Sequence, residues 1–350
     1  MSQREAVLRG IVSGRPEVGP QTVHIDITNT CNARCVTCWD HSPLLKIPRP
    51  DNWKKRRMSL ADFDDIVAQL QALGSVRSVI LSGMGEPFTH PHVYDMIDRV
   101  KANGWHLTML SNLIAVDTDR LMRTGIDQLL VGVQGVTPDT HAAFHPGWNE
   151  DQFFAMCRKL RQLTSSGIRV RHVQVINRDT AGEVVEMVRF AKRYRAERLN
   201  YKLASLAGGT ETTGIDEHQR DWLVAHGVPM AQALAQELGV HTNLHLFKQQ
   251  LGSAERAIRS TAPMAAIGCH MGFVYTRITV DRQVLFCCNT EVEVGHLDRA
   301  PFAELWVGDQ WNAARDALRA GQWFDGCERC GKLEQNAKWS ARLAKAQDHI

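Results

Sequence analysis

This 350-residue chain has only 12 prolines and 26 glycines with no repeat, which excludes collagen-like and low-complexity architectures. It contains no uncharged stretch near the roughly 18 residues a membrane helix needs, and its first twenty residues hold no secretory apolar region. A soluble, cytoplasmic protein is expected, with no membrane partner. Charge of one sign is also missing. Lys and Arg number 41 against 38 Asp and Glu, a net +3, which argues against an electrostatic nucleic-acid binder. The nine cysteines are an odd number, and a reducing compartment does not favour a disulfide framework. Metal or redox chemistry is the reading that remains. With 44% apolar and 23% charged residues the chain can bury a core, and its length suits two domains or one α/β barrel with an appendage.

Val23, Ile25 and Ile27 alternate with polar residues and predict a strand ending where the first cysteines begin. Ser59 can cap a helix whose residues Leu60, Phe63, Ile66, Val67, Leu70 and Leu73 keep a three-and-four spacing up to Gly74. The rhythm continues with strands over 76–81, 106–110, 128–133, 170–176 and 199–203, separated by helices near 93–100, 119–123, 150–164 and 181–195. About six such βα units predict an α/β fold, a partial (βα)6 barrel of parallel strands with its active-site groups on the loops after the strands. After Leu203 comes a Gly/Thr-rich stretch, then two helices over 216–226 and 229–238. From Gly268 onward a short cysteine-bearing segment carries a hairpin pattern turning at Asp281-Arg282. Three regions are therefore expected: a barrel over 1–207, a helical linker or lid over 208–266, and a small metal-nucleated domain over 267–350. The Lys54-Lys55-Arg56-Arg57 run reads as a solvated loop, and His241 and His245 as ordinary polar residues.

Cys31, Cys35 and Cys38 supply three thiolates within eight residues, on the loop after the first strand. A structural zinc wants four protein ligands, and His41 is the nearby candidate for a fourth. A 4Fe-4S cluster held by three cysteines leaves one iron free for a small molecule. This CxxxCxxC spacing resembles the radical S-adenosylmethionine (SAM) superfamily, and Ser82-Gly83-Met84-Gly85-Glu86-Pro87 looks like that family's Gly-Gly-Glu segment. The resemblance implies that the open iron chelates SAM, and that one electron cleaves it to methionine and a 5′-deoxyadenosyl radical, which abstracts a substrate hydrogen. It also implies SAM contacts at Gly83, Met84, Gly85 and Glu86, with Glu86 as an acceptor near the SAM ammonium. Ser111, Asn112 and Gln134 fall where related enzymes place ribose and carboxylate contacts. Thr37 stands where an aromatic residue often precedes the third cysteine, and Gly132 and Gln134 where Ser and Asp are common.

Cys269, Cys287, Cys327 and Cys330 form a second set, with Cys288 beside one of them. The spacing allows a zinc ribbon or a fully ligated 4Fe-4S cluster. Its context resembles the SPASM domain or its shortened form, twitch, and four ligands suit one auxiliary cluster. The resemblance favours Cys287 over Cys288 as the ligand. The spacing is similar to that of twitch dehydrogenases of the 2-deoxy-scyllo-inosamine type. The expected cofactors are two 4Fe-4S clusters, one SAM-binding and one auxiliary, and SAM itself. The expected reaction oxidises a secondary alcohol of a sugar, aminocyclitol or aminoglycoside-like natural-product intermediate to a ketone, with the auxiliary cluster taking the electron. The expected partners are a carbohydrate-like small molecule and a reductant such as flavodoxin or ferredoxin. An epimerase would re-donate hydrogen from a spare thiol, Cys288 or Cys157. A peptide maturase, or a non-enzymatic Fe-S or zinc scaffold, would carry similar cysteine sets. Lys202, with Asn177 and Arg178, sits at or after a strand end facing the expected pocket and could contact substrate or SAM.

Overall fold

The computed structural model describes residues 2–253 and 262–347. Residues 254–261 of the expected linker, and 348–350 of the expected last domain, lie outside the described residues. Nine strands form one sheet in the order β6-β5-β4-β3-β2-β1-β7-β8-β9. The first six, β1 (Thr22–Asp26), β2 (Ser78–Ser82), β3 (His106–Ser111), β4 (Gln128–Gly132), β5 (Arg169–Ile176) and β6 (Arg198–Leu203), run parallel in chain order. The helices of this half are α1 (Gln3–Ser13), α2 (Asp51–Lys54), α3 (Leu60–Ala72), α4 (Val93–Ala102), α5 (Thr118–Arg123), α6 (Pro138–Phe144), α7 (Glu150–Leu163) and α8 (Val184–Arg193). Together they are the parallel-strand partial barrel expected from the βα rhythm.

Strand alternation divides the side chains between two faces. Val23, Ile25, Val79, Leu81, Leu107 and Met109 share one core with Phe63, Ile66, Val67 and Leu70 of α3. Each such fully buried side chain contributes about 1.5–3 kcal/mol of transfer free energy, which the ordering entropy of the chain opposes. His24, Asp26 and Ser82, at the alternate positions of β1 and β2, face the other way and are polar, and Arg277 is in register with His24. This end of the inner surface is thus polar, and these largely buried side chains bond to one another. Ser59 caps α3 by accepting from the Asp62 N–H.

Past the barrel, α9 (Glu217–Trp222) passes through a π-helical turn, Leu223–Gly227, directly into α10 (Val228–Leu238). The two helices expected there are one continuous run. The wider π turn ends just where Pro229, which has no N–H to give, enters the first turn of α10. The segment 241–243 before α11 (Leu244–Ser253) lies along the edge of β6. Leu199 N–H donates to His241 O at 2.9 Å, and the Asn243 amide exchanges two hydrogen bonds with the Tyr201 backbone at 2.7 and 2.9 Å. Part of the expected lid therefore covers an open sheet edge. His241 precedes α11 and His245 lies within it, so the two do not share a helix face.

Helix α12 (Ala262–Ile267) closes the expected linker, and the C-terminal region after it joins the same sheet. Its strand β7 (Tyr275–Ile278) pairs in parallel with β1, and β8 (Gln283–Leu285) and β9 (Glu293–His296) follow as antiparallel strands. The expected hairpin turn holds Arg282 at φ 66°. Its guanidinium is anchored by Asp62, Asp65 and Asp298 at 3.0, 2.6 and 2.7 Å, which ties the turn to α3. Helices α13 (Phe302–Val307), α14 (Asp309–Arg319) and α15 (Leu333–Gln347) complete the fold. Among the described residues, no helix is long and apolar enough to cross a membrane.

Candidate active site

The loop after β1 carries Cys31, Cys35 and Cys38. Backbone N–H groups already point at its sulfurs: Ala33 donates to Cys31 Sγ at 3.4 Å, and His41 and Asp40 donate to Cys38 Sγ at 3.3 and 3.5 Å. Burial pushes the Cys31 thiol up to about 12 and raises Cys35 and Cys38 too, and neighbouring thiols add to the first two shifts. Three crowded buried thiols do not ionise alone; a cationic iron cluster supplies the charge that lets them do so. N–H donors aimed at sulfur are what ligated thiolates use. The donor set therefore fits a cluster held by three cysteines. Among the described residues no three His, Cys, Asp or Glu side chains close on a point as a single-ion site.

The segment after β2 packs directly on that loop. Gly85 N–H donates to Thr28 O at 3.2 Å and Glu86 N–H to Thr30 O at 2.9 Å. A Cβ on Gly83 would stand 2.1 Å from Thr28 O, and one on Gly85 2.1 Å from Thr30 O. The glycines thus admit the backbone that leads into Cys31. Glu86 is 3% exposed and accepts from Phe88 N–H at 3.2 Å, Ser111 Oγ at 2.8 Å and Asn112 N–H at 2.7 Å. Burial pushes its carboxyl up to about 7 against these three donors. Asn112 Nδ2 also donates to Asn32 Oδ1 at 2.7 Å, so Glu86, Ser111, Asn112 and the cysteine loop are one connected group.

Gln134, at φ 50°, spends its amide oxygen on Val175 N–H at 2.7 Å, joining the ends of β4 and β5. Asn177 is buried and accepts from the Asp179 and Thr180 N–H groups in its own turn, and Arg178 is exposed. Cys157 sits on α7, in the outer helical layer, hydrogen-bonded to Tyr194.

The second cysteine set gathers beside β7. Cys269, Cys288, Cys327 and Cys330 lie within electrostatic reach of one another, and Cys287 hydrogen-bonds to Cys288. Asn289 N–H donates to Cys287 Sγ at 3.3 Å, the same backbone device seen at Cys31 and Cys38. Burial pushes Cys269 and Cys330 up to about 12, which again calls for a cationic group. Cys288 moves the other way: the hydrogen bond from Cys287, then Lys332 and Arg277, hold its thiol below the ordinary range. Lys332 also stacks over the Tyr275 ring at 4.0 Å.

A cleft of about 390 Å3 opens beside the first cysteine set and reaches the C-terminal region. Cys38, Trp39 and Met84 border it from the barrel, Lys202 from β6, and Arg277 and Thr290 from the C-terminal region. Trp39 Nε1 donates to Ser205 O at 2.6 Å and straps the cysteine loop to the chain after β6. Arg277 is held by Asp26, which also touches Ser82; His24 contacts Ser82 and, at 2.9 Å, Tyr275 Oη. Sequence reasoning missed this network, since its two halves are some 250 positions apart in the chain and nothing in the local pattern pairs them.

Residues 25–191 match the radical SAM superfamily, and residues 269–331 match SPASM, an iron-sulfur cluster-binding domain. The chain is 24% identical over 190 residues to the antilisterial bacteriocin subtilosin biosynthesis protein AlbA of Bacillus subtilis, covering 52% of this chain and 39% of AlbA. The match thus spans well under half of AlbA's length. The chain is 20% identical over 295 residues to the AdoMet-dependent heme synthase of Nitratidesulfovibrio vulgaris, covering 80% of this chain and 77% of that one. Streptococcus suis SuiB bound to S-adenosylmethionine superposes with a TM-score of 0.65 at 15% identity, over 94% of this chain and 75% of SuiB, a likeness of fold.

Proposed function

This chain carries a radical SAM domain followed by a SPASM iron-sulfur domain, and we propose that it oxidises a secondary alcohol of a small, polar, carbohydrate-like molecule to a ketone. The observation that carries the reading is the cleft bordered by Cys38 on one side and Thr290 on the other, of a volume suited to a small molecule and with charged walls. When bound, SAM and the clusters supply the radical that removes the carbinol hydrogen and the acceptor for the electron left behind. The hydroxyl proton must also leave, and in this solvent-exposed cleft water accepts it. Lys202 is exposed to the cleft and can donate to the substrate oxygen, stabilising negative charge as that proton departs. Arg277, fixed by Asp26, offers a second cation that costs no reorganisation. Trp39 narrows the cleft on the cysteine-loop side.

Peptide modification is the second reading. AlbA is a bacteriocin biosynthesis protein, and SuiB has been solved bound to the precursor peptide SuiA. The number of C-terminal cysteines, enough for one auxiliary cluster, favours the small-molecule oxidation. The test is product analysis with the reconstituted protein, SAM and a panel of aminocyclitols and sugars. A ketone formed with one 5′-deoxyadenosine per turnover, abolished by Cys31→Ala and by Lys202→Met, supports the proposal. Equal ketone formation by Cys327→Ala would remove the auxiliary cluster from the oxidation, and turnover confined to peptides would favour the second reading.

A further inference from the structure

A second cavity, of about 420 Å3, lies outside the barrel between α7 and α8. Its floor is aromatic: Phe153, Phe154, Phe190 and Tyr194 line it, and Phe154 is 45% exposed. Its rim is made of Arg158, Arg161 and Arg193, all exposed. Arg161 and Arg193 stand over the Tyr194 ring at 5.9 and 6.0 Å. Among the described residues, no carboxylate forms an ion pair with any of the three arginines. On a chain whose overall charge is nearly balanced, this is a local concentration of unneutralised positive charge around an apolar floor.

The floor is not isolated from the cysteine loop. Phe153 meets His141 at 5.6 Å, His141 stacks on Trp148 at 5.5 Å, and Trp148 Nε1 donates to Asn32 O at 3.2 Å, beside Cys31. Val36 N–H, between Cys35 and Cys38, donates to Phe144 O at 3.0 Å. A continuous run of packed rings thus leads from the outer groove to the loop that holds the SAM-binding cluster. That cluster must receive one electron per SAM cleaved, and the carrier that supplies it loses one.

We propose that the arginine-rimmed groove between α7 and α8 is the docking face for an acidic electron-carrier protein that reduces the N-terminal cluster. The three arginines meet acidic side chains of the carrier, and Phe154 with Phe190 gives the contact its apolar centre. The inference rests on the radical SAM assignment and not on the choice of substrate, so it survives if the alcohol oxidation fails.

The test uses reconstituted wild type, the charge-reversed triple variant Arg158→Glu/Arg161→Glu/Arg193→Glu, and the charge-keeping Arg→Lys triple. Binding to a flavodoxin is measured over a range of ionic strength, and cluster reduction is followed by absorbance with flavodoxin hydroquinone or with dithionite. Wild type should bind more weakly as salt rises and the Debye length shortens, whereas the reversed variant should bind at least about tenfold more weakly at low salt and lose that salt dependence. Its reduction by flavodoxin should slow in parallel, reduction by dithionite should be unchanged, and the Lys variant should stay near wild type. Equal flavodoxin affinity and salt dependence in wild type and reversed variant would overturn the proposal. So would an equal slowing with both reductants, because that marks a structural role for the arginines.

Discussion

Arg277 of β7 donates two hydrogen bonds to Asp26 of β1, at 2.6 and 3.0 Å, and Asp26 is wholly buried. One partner belongs to the first strand of the barrel and the other to the C-terminal region, so the ion pair braces a residue of the cleft wall across the β1–β7 pairing. Burial works against the Asp26 charge, but Arg277 and then His24 outweigh it and hold the carboxyl below the usual carboxylate range.

Breaking this pair should be costly. Asp26→Asn leaves a buried guanidinium without its counter-charge, and the expected loss is about 3–5 kcal/mol in urea unfolding. The double variant Asp26→Asn/Arg277→Met should recover much of it. Because the folded carboxyl titrates below its unfolded value, the wild-type contribution is full at neutral pH and is lost only as pH falls below about 4. A single variant within about 1 kcal/mol of wild type, the range of ordinary substitutions, would show that the pair does not tie the two regions.

Gly85 has a second role to test. A Cβ 2.1 Å from Thr30 O must push the backbone that enters Cys31, so Gly85→Ala should destabilise the chain by about 1–3 kcal/mol and lower the iron retained at the N-terminal site. Gly182→Ala is the control, since a Cβ there meets nothing within 4 Å. Equal iron content and melting temperature in the two variants would mean the loop adjusts freely.

Much of the barrel is legible in the sequence because the information is local. The alternation at Val23, Ile25 and Ile27 and the spacing from Leu60 to Leu70 report their own burial, and Ser59 sits where a cap should. Helix α1 lacks such a signal in its apolar residues, whose run is short, although Ser2 and Glu5 form a capping box and Gly14 ends it in the left-handed region. The pairing of β7 with β1 has no local signature, because a strand's pattern states that it is paired but not with what. The same limit hides the Asp26–Arg277 contact. Cys31, Cys35 and Cys38 can be read at once because their spacing is the chemistry. The arginines of the outer groove come from two helices and become a cluster only when α7 and α8 pack side by side.

Glu86 predicts a pH dependence. Burial raises its carboxyl to about 7, above the ordinary 4.5, so folding loses stability as pH rises from about 4.5 to 7 and is indifferent to this group beyond. Above that range the carboxylate is free to accept from the SAM amino group. If Glu86 meets the SAM amino group, SAM affinity of the reconstituted protein should rise between about pH 6 and 8, by up to about tenfold per unit. Glu86→Gln should bind more weakly at the alkaline end and flatten the profile in equilibrium dialysis. Wild-type affinity in the Gln variant would reduce Glu86 to its visible task of joining the β2 and β3 loops through Ser111 and Asn112.

Cys287 and Cys288 are adjacent yet differently placed. Each accepts from a backbone N–H, Cys287 from Asn289 and Cys288 from Gly331, but Cys287 packs with Cys269 against two hydrophobic clusters. Cys288 faces Lys332 and Arg277, two cations that neutralise a sulfur without a metal. We therefore expect Cys287 to be the fourth auxiliary ligand and Cys288 to lie beside the cluster. In a background lacking Cys31, Cys35 and Cys38, iron analysis after anaerobic reconstitution should give about four iron per chain for the parent, about four for Cys288→Ala, and close to none for Cys287→Ala. The reverse pattern would make Cys288 the ligand and take it out of consideration as a hydrogen donor. Retention by both single variants, with loss only in the double, would mean that either sulfur can close the site, as their shared hydrogen bond allows.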